Sequence, residues 1–329
     1  MKLTNAIVKT GAGILVAGSL LAFSRLGNVP SLTEIIQTST FTPTATHTPR
    51  PTATYTPTST PTQEIAPELL ALRDDLASRI AEYRRISEHD YGRAIDIAIA
   101  VTDLESMQTI DVNGDVLMQP GCTGNTYALL MLIEEVQNGN IDYASIEAAV
   151  RNGVAYSHPW QFRDVFLQLW DSVDVGIAKT QQYMVNHGFP GTYNHIPASD
   201  SESGILNETT ANAINNAFVR LYLGELFNNP EITEETKSIF RDGIPGYLLY
   251  MLPENIQGRY IWIMRKLGTF DDAYGKPEID CGIIQPLNEH TYSICVFTAK
   301  GANTMGTRGE GALVIAELSE VVMDYFSNN

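Results

Sequence analysis

The chain is short of cysteine, short of basic residues, and without a long uninterrupted apolar run. Three Cys in 329 residues cannot staple a small disulfide scaffold, which needs several bridges to replace a core. Only 21 Lys and Arg stand against 38 Asp and Glu, a formal net charge of −17. A nucleic-acid binder neutralises phosphates with a cationic face, so the overall balance excludes that class. The six His show no His-x-x-x-His spacing, and neither Cys-x-x-Cys nor a glycine-rich phosphate loop is present. Neither a metal nor a nucleotide cofactor is predicted.

What is there is unevenly distributed. Lys2 and Lys9 precede an apolar stretch from Gly11 to Phe23, followed by Arg25. This is the pattern of an export leader, and the stretch falls short of the roughly 18 to 20 residues that span a bilayer. No small-x-small cleavage site is clear after Phe23, so residues 1–30 read as a signal peptide or as an uncleaved signal anchor. Either places the remainder outside the cytoplasm, secreted or membrane-anchored. From Thr38 to Thr62 the chain runs TSTFTPTATHTPRPTATYTPTSTPT, with PTATHTP and PTATYTP recurring. Without apolar periodicity this stretch cannot bury enough surface to offset chain entropy. Residues 31–63 are therefore expected to be a disordered Thr/Pro linker, of which the 25 residues from Thr38 to Thr62 reach about 80 Å at roughly 3.1 Å per residue if extended.

Residues 64–329 hold 17 basic and 37 acidic residues, a net charge of −20, and are long enough for one large core. Leu69, Leu72, Leu76 and Ile80 make a helical stripe over Pro67 to Tyr83. Ile95 to Leu104 and Thr109 to Val112 read as a hairpin around Glu105-Ser106-Met107-Gln108. Thr126 to Val136 is apolar on nearly every face, which predicts a centrally buried helix. Further helices are expected near Tyr143–Tyr156, Trp160–Trp170, Gly176–Asn186, Thr209–Gly224 and Thr233–Asp242. Three antiparallel strands follow at Arg259–Arg265, Ile279–Gln285 and Thr291–Ala299, then a closing helix from Gly311 to Phe326. The predicted fold is α/β (α+β): one antiparallel five-stranded sheet flanked by helices, plus an all-helical subdomain.

This order of elements over residues 68 to 326 resembles the class A β-lactamase and penicillin-binding transpeptidase family. The stretch DLESMQTIDVNGDVLMQPGCTGNTYALLMLIEEVQNGNID is similar to the family's hairpin, its Ser-x-x-Lys at the head of a buried helix, and the Gly that ends that helix. Counting forward from Asp103 and back from Gly139 gives one register. It sets Cys122 at the nucleophilic Ser and Asn125 at the Lys. VAYSHP resembles the Ser-Asp-Asn segment, with Ser157 retained and His158 and Pro159 replacing its partners. RKLGT resembles the Lys-Thr-Gly strand, retaining Lys266, Gly268 and Thr269 with Leu267 between. The family's omega-loop Glu has no clear counterpart, though Glu202 and Glu208 flank the right neighbourhood.

The resemblance implies a degenerate site. An amide at Asn125 cannot take a proton near neutral pH, which removes a role worth about 10² to 10⁴ in rate. Cys122 is either an inert buried thiol, a redox or partner contact, or a nucleophile activated at a helix N-terminus. Lys266 either binds a substrate anion with Gly268 and Thr269 or is simply solvated. Ser157 either bonds Asn125 across a cleft or caps the Trp160 helix. Cys281 and Cys295 face one another across a hairpin, which leaves a disulfide open. The expected function is a non-hydrolytic binding domain at the cell envelope for a β-lactam, a cell-wall peptide or another protein. The enzymatic alternative is a β-lactamase or related acyl hydrolase using Cys122 or the displaced Thr123. A structural surface module would instead fill the groove between Cys122, Ser157 and Lys266 with large side chains.

Overall fold

Ile97, Ile99 and Val101 alternate with Ala98 and Ala100 along the first strand, and all five are buried. A strand covered on both faces carries apolar residues at every position, and here the two faces differ in size. The computed structural model describes residues 64–157, 159–196, 207–242, 252–269, 276–288, 290–305 and 308–328. The leader, the Thr/Pro linker, His158 and Glu202 lie outside the described residues.

Helix α1 (Pro67–Tyr91) leads into β1 (Asp96–Asp103) and β2 (Gln108–Val112). A 3-10 turn (Gly121–Gly124) opens α2 (Asn125–Gln137), which is followed by α3 (Tyr143–Ala155), α4 (Pro159–Trp170) and α5 (Val173–His187). The two-residue strands β3 (Gly191–Thr192) and β4 (Glu208–Thr209) pair before α6 (Ala211–Leu223) and α7 (Pro230–Arg241). The chain then makes β5 (Tyr260–Thr269), β6 (Lys276–Pro286), β7 (Tyr292–Gly301) and α8 (Glu310–Asn328). The sheet has five strands in the order β2-β1-β7-β6-β5, every neighbouring pair antiparallel. The predicted architecture holds.

One face of the sheet carries Ile97, Ile99, Val101, Ile294 and Val296 against Leu69, Leu72 and Leu76 of α1 and Ile315, Leu318 and Phe326 of α8. The other presents Ala98, Ala100, Ile279, Ile283 and Phe297 to α2, α6 and the remaining helices. The alanines leave room for Ile214 and Phe218 of α6 to pack close. Helix α2 is buried at every residue from Asn125 to Ile133, as its all-round apolarity requires.

Boundaries moved where capping chemistry decided them. Helix α1 continues past Tyr83 to Tyr91 because Gly92, at φ 69°, ends it in a left-handed cap, a conformation that suits glycine. Helix α7 starts at Pro230, three residues before the Thr233 expected. Asn229 accepts hydrogen bonds from the Glu231 and Ile232 amides, and a Pro at the first position loses no bond. Strand β5 runs four residues beyond Arg265, carrying Lys266, Leu267, Gly268 and Thr269 into the sheet.

Candidate functional site

The turn before α2 and the end of β5 meet directly. Gly121 has φ 51°, which the turn can adopt without side-chain strain, and the Thr123 amide closes it by donating to Pro120 O at 3.1 Å. A Cβ on Gly268 would stand 2.6 Å from Pro120 O and 2.7 Å from Thr123 N, so only glycine permits this approach. Thr123 Oγ1 donates to Lys266 O at 3.4 Å. Cys122 is thereby held on the sheet edge, 6% exposed.

Burial pushes the Cys122 thiol up from its ordinary value, while Lys266 and the backbone amides of Thr269 and Cys122 pull it down less strongly. Of the three readings of Cys122, this environment favours the inert buried thiol, because an isolated anion loses its hydration in the interior.

Lys266 is 1% exposed. Its ammonium donates to Ser157 Oγ and, at 2.8 Å, to Leu267 O. Burial lowers its pKa to about 8 against the counter-pull of Cys122 and Asp280, with Arg265 adding to the lowering. Asp280 is fully buried and paired with Arg265. The solvated reading of Lys266 is therefore corrected. The strand end is shut by the loop carrying Ser157, and a lysine kept there needs acceptors at hand.

Ser157 has φ 50° and is half-buried. It bonds Lys266 and not Asn125, and helix α4 begins at Pro159, so Ser157 lies one position outside the capping residue. Both expectations for its side chain are replaced by the ammonium contact. On either side of it Tyr156 is 60% and Trp160 43% exposed, and the Arg163 guanidinium lies 5.5 Å from the Trp160 ring centre.

Asn125 is fully buried. Its Oδ1 accepts from the Tyr193 hydroxyl at 3.1 Å, and its Nδ2 has no partner among the described residues. Tyr193 was not singled out from sequence. It lies in the segment after α5, where no periodicity marks it. Asn207 shapes that segment by accepting from the amides of Asn194 and His195 and donating to His195 O. Thr269 Oγ1 is a second buried polar atom without a partner among the described residues. Glu208 sits exposed on β4, paired in register with Thr192. Arg265 and Asp280 pair across β5 and β6, and a charged residue inside an apolar strand such as IDCGII is itself a sign of a buried pair.

Cys281 and Cys295 are register partners on β6 and β7 and form a disulfide, leaving Cys122 the free thiol. Both lie on the face toward α2, and Cys281 is also the register partner of Lys266. No group of three or more His, Cys, Asp or Glu able to hold a metal occurs among the described residues.

Comparison with known proteins gives this arrangement a family context. Residues 168–326 match the model described as the beta-lactamase enzyme family. That span includes Lys266 and begins after Cys122 and Ser157. No curated protein matches the chain. A β-lactamase from Chitinophaga pinensis is similar in structure, with a TM-score of 0.62 at 14% identity over 79% of this chain and all of that one. A class A β-lactamase from Bacteroides cellulosilyticus gives 0.63 at 15%, covering 78% of this chain and 99% of its own. A variant of the penicillin-binding protein PBP-A, in an acyl-enzyme complex with penicillin G, gives 0.63 at 16%, covering 80% and 100%. The chain has the β-lactamase-like fold, and its structural likeness to class A β-lactamases and to PBP-A extends over most of its length.

Proposed function

From that fold, we propose that the chain is an exported β-lactamase-like domain, residues 64–329, carried on the 31–63 linker behind the 1–30 leader. It binds a β-lactam or cell-wall peptide at the Cys122 site without hydrolysing it. The observation that carries this reading is the Asn125 side chain. Its acceptor is consumed by Tyr193 and its Nδ2 is unsatisfied, so the position offers a hydrogen-bond donor and no proton acceptor. Buried polar atoms are nearly always paired. Both Asn125 Nδ2 and Thr269 Oγ1 are closed off from solvent, so they meet a ligand's carbonyl or carboxylate oxygens only when the Ser157 loop moves aside, with Lys266 supplying charge behind Ser157. The exposed Tyr156 and Trp160 offer apolar rings beside the same loop. Among the described residues no helix is long and apolar enough to cross a membrane, so any anchoring rests with the leader.

One observation favours an acyl hydrolase instead. Lys266, with a pKa of about 8, is about a tenth neutral at pH 7 and lies close enough to Cys122 for each to favour the other's charged form. Incubation of the protein with penicillin G and a chromogenic cephalosporin, followed by colour and intact mass, separates the two. The binding reading expects no turnover and saturable calorimetric heat. Turnover abolished by Cys122→Ala establishes the hydrolase.

A further inference from the structure

The last residue of α5 is a histidine whose two ring nitrogens face opposite charges. His187 Nε2 lies 2.9 Å from Glu134 Oε1 of α2, and its Nδ1 lies 3.5 Å from Arg220 Nη2 of α6. An ionised carboxylate only accepts and a guanidinium only donates, so Nε2 carries the proton and Nδ1 is a bare acceptor. The two contacts select one neutral tautomer. The Tyr183 and Phe189 rings lie beside the imidazole at 4.2 and 6.1 Å between centres. With the His187 side chain 15% exposed, a charge added there is answered by its neighbours more than by water. Among the described residues, the titratable and charged groups that face it are Glu134 from α2, Tyr183 from its own helix and Arg220 from α6.

Arg220 also ties down the chain that follows α5. Its Nη1 donates to His187 O at 3.0 Å, and its guanidinium stands 5.4 Å from the Phe189 ring centre. Four residues beyond Phe189, the Tyr193 amide donates to Gln181 Oε1 at 2.6 Å and the Tyr193 hydroxyl holds Asn125 Oδ1. The arginine thus clamps the root of the segment that sets the Asn125 amide.

We infer that His187 is a pH-operated latch on residues 189–193. A proton taken from solvent at Nδ1 turns the acceptor into an N–H, sets two cations side by side, and removes the Arg220 Nη2 contact. The Nε2–H bond to Glu134 remains and becomes an ion pair. That pair and the negative end of α5 favour the charged ring where it is, so the arginine leaves and the ring stays. Residues 189–193 then lose their clamp. Histidine changes charge between about pH 5 and 8, above the ordinary carboxylate range, so the exchange of partners belongs to the imidazole. The latch acts on the protein alone and needs no ligand at the Cys122 site.

The test is hydrogen exchange of the full-length chain by mass spectrometry, with ¹⁵N-histidine NMR for the ring. At about pH 7.5 the His187 ring is expected with its proton on Nε2. The peptide over residues 188–193 is expected to exchange at least about fivefold faster at about pH 5.5 than at 7.5, after correction for the intrinsic pH dependence of exchange. His187→Gln, whose amide serves Glu134 as a donor and Arg220 as an acceptor without titrating, is expected to keep the slow rate at both. Arg220→Met is expected to exchange fast at both. If a thermal melt shows His187→Gln unfolded, the ring tautomer and Arg220→Met decide. A proton on Nδ1 at the higher pH, equal wild-type protection at the two pH values, or a pH response that persists in His187→Gln or Arg220→Met overturns the latch. Failure of the β-lactam experiment leaves these readouts untouched.

Discussion

The Tyr193 hydroxyl donates to Asn125 Oδ1 over 3.1 Å, with both side chains shut away from water. This bond joins the head of α2 to the segment after α5, and it fixes the orientation of the Asn125 amide. Tyr193→Phe leaves both polar atoms of Asn125 unpaired in the interior. The expected loss is about 1 to 3 kcal/mol, measured by urea unfolding. Adding Asn125→Leu is expected to recover part of that loss, because removing both partners strands no buried group.

Lys266 makes stability depend on alkaline pH. Its folded pKa, about 8 against an ordinary 10.5, means that between these values the unfolded chain holds a proton the folded one lacks. Stability therefore rises as pH increases from about 8 toward 10.5, and below 8 the full penalty of burying the ammonium is present. Unfolding free energies of wild type and Lys266→Met, compared between pH 7 and 9.5, are expected to converge as pH rises. A constant difference across that range contradicts the assignment.

Cys122 is expected to react slowly with iodoacetamide in the native state, at least about 100-fold more slowly than in urea at neutral pH. Burial raises its pKa and blocks access, while Lys266 favours the thiolate. Lys266→Met is thus expected to slow native alkylation further, read by mass spectrometry. An unchanged rate shows that the ammonium does not act on the thiol.

Gly268→Ala tests the close approach of β5 and the turn. Its methyl would lie 2.6 Å from Pro120 O and 2.7 Å from Thr123 N. Backbone has to move, at a cost of about 1 to 3 kcal/mol, and the turn lifts from the strand. Thermal melting is expected to drop while Cys122 alkylation accelerates. A lower melting temperature without faster alkylation shows that strain is relieved away from the thiol.

The Cys281–Cys295 bond closes a sequence separation of 14 residues, for which chain entropy gives about 3 kcal/mol of stabilisation. Both sulfurs are buried. Dithiothreitol is expected to leave the folded protein unreduced, and refolding after reduction in urea is expected to give a lower unfolding midpoint. Equal midpoints before and after reduction remove the bond from the stability of the sheet.

Much of this was legible because it depends on local pattern. Leu69, Leu72, Leu76 and Ile80 announced their helix, the all-round apolarity of Thr126 to Val136 announced a central one, and period-two runs announced β6 and β7. Register counted from Asp103 and Gly139 was enough to set Cys122 at the head of α2. The surroundings of those residues were not legible. Ser157 reads as a cap from its neighbours, yet the fold gives it to Lys266, 109 residues away.

The sequence alone determined the antiparallel sheet between helices and the resemblance that aligns Cys122 and Asn125 with a Ser-x-x-Lys motif. Amino-acid type and periodicity settle these without reference to distant chain. Only the tertiary structure decided that Cys122 is buried with its pKa raised, that Lys266 is desolvated against Ser157, and that Tyr193 takes the acceptor of Asn125. Proton affinity and hydrogen-bond pairing depend on which groups share a dry environment, and that is set by contacts between elements far apart in the chain.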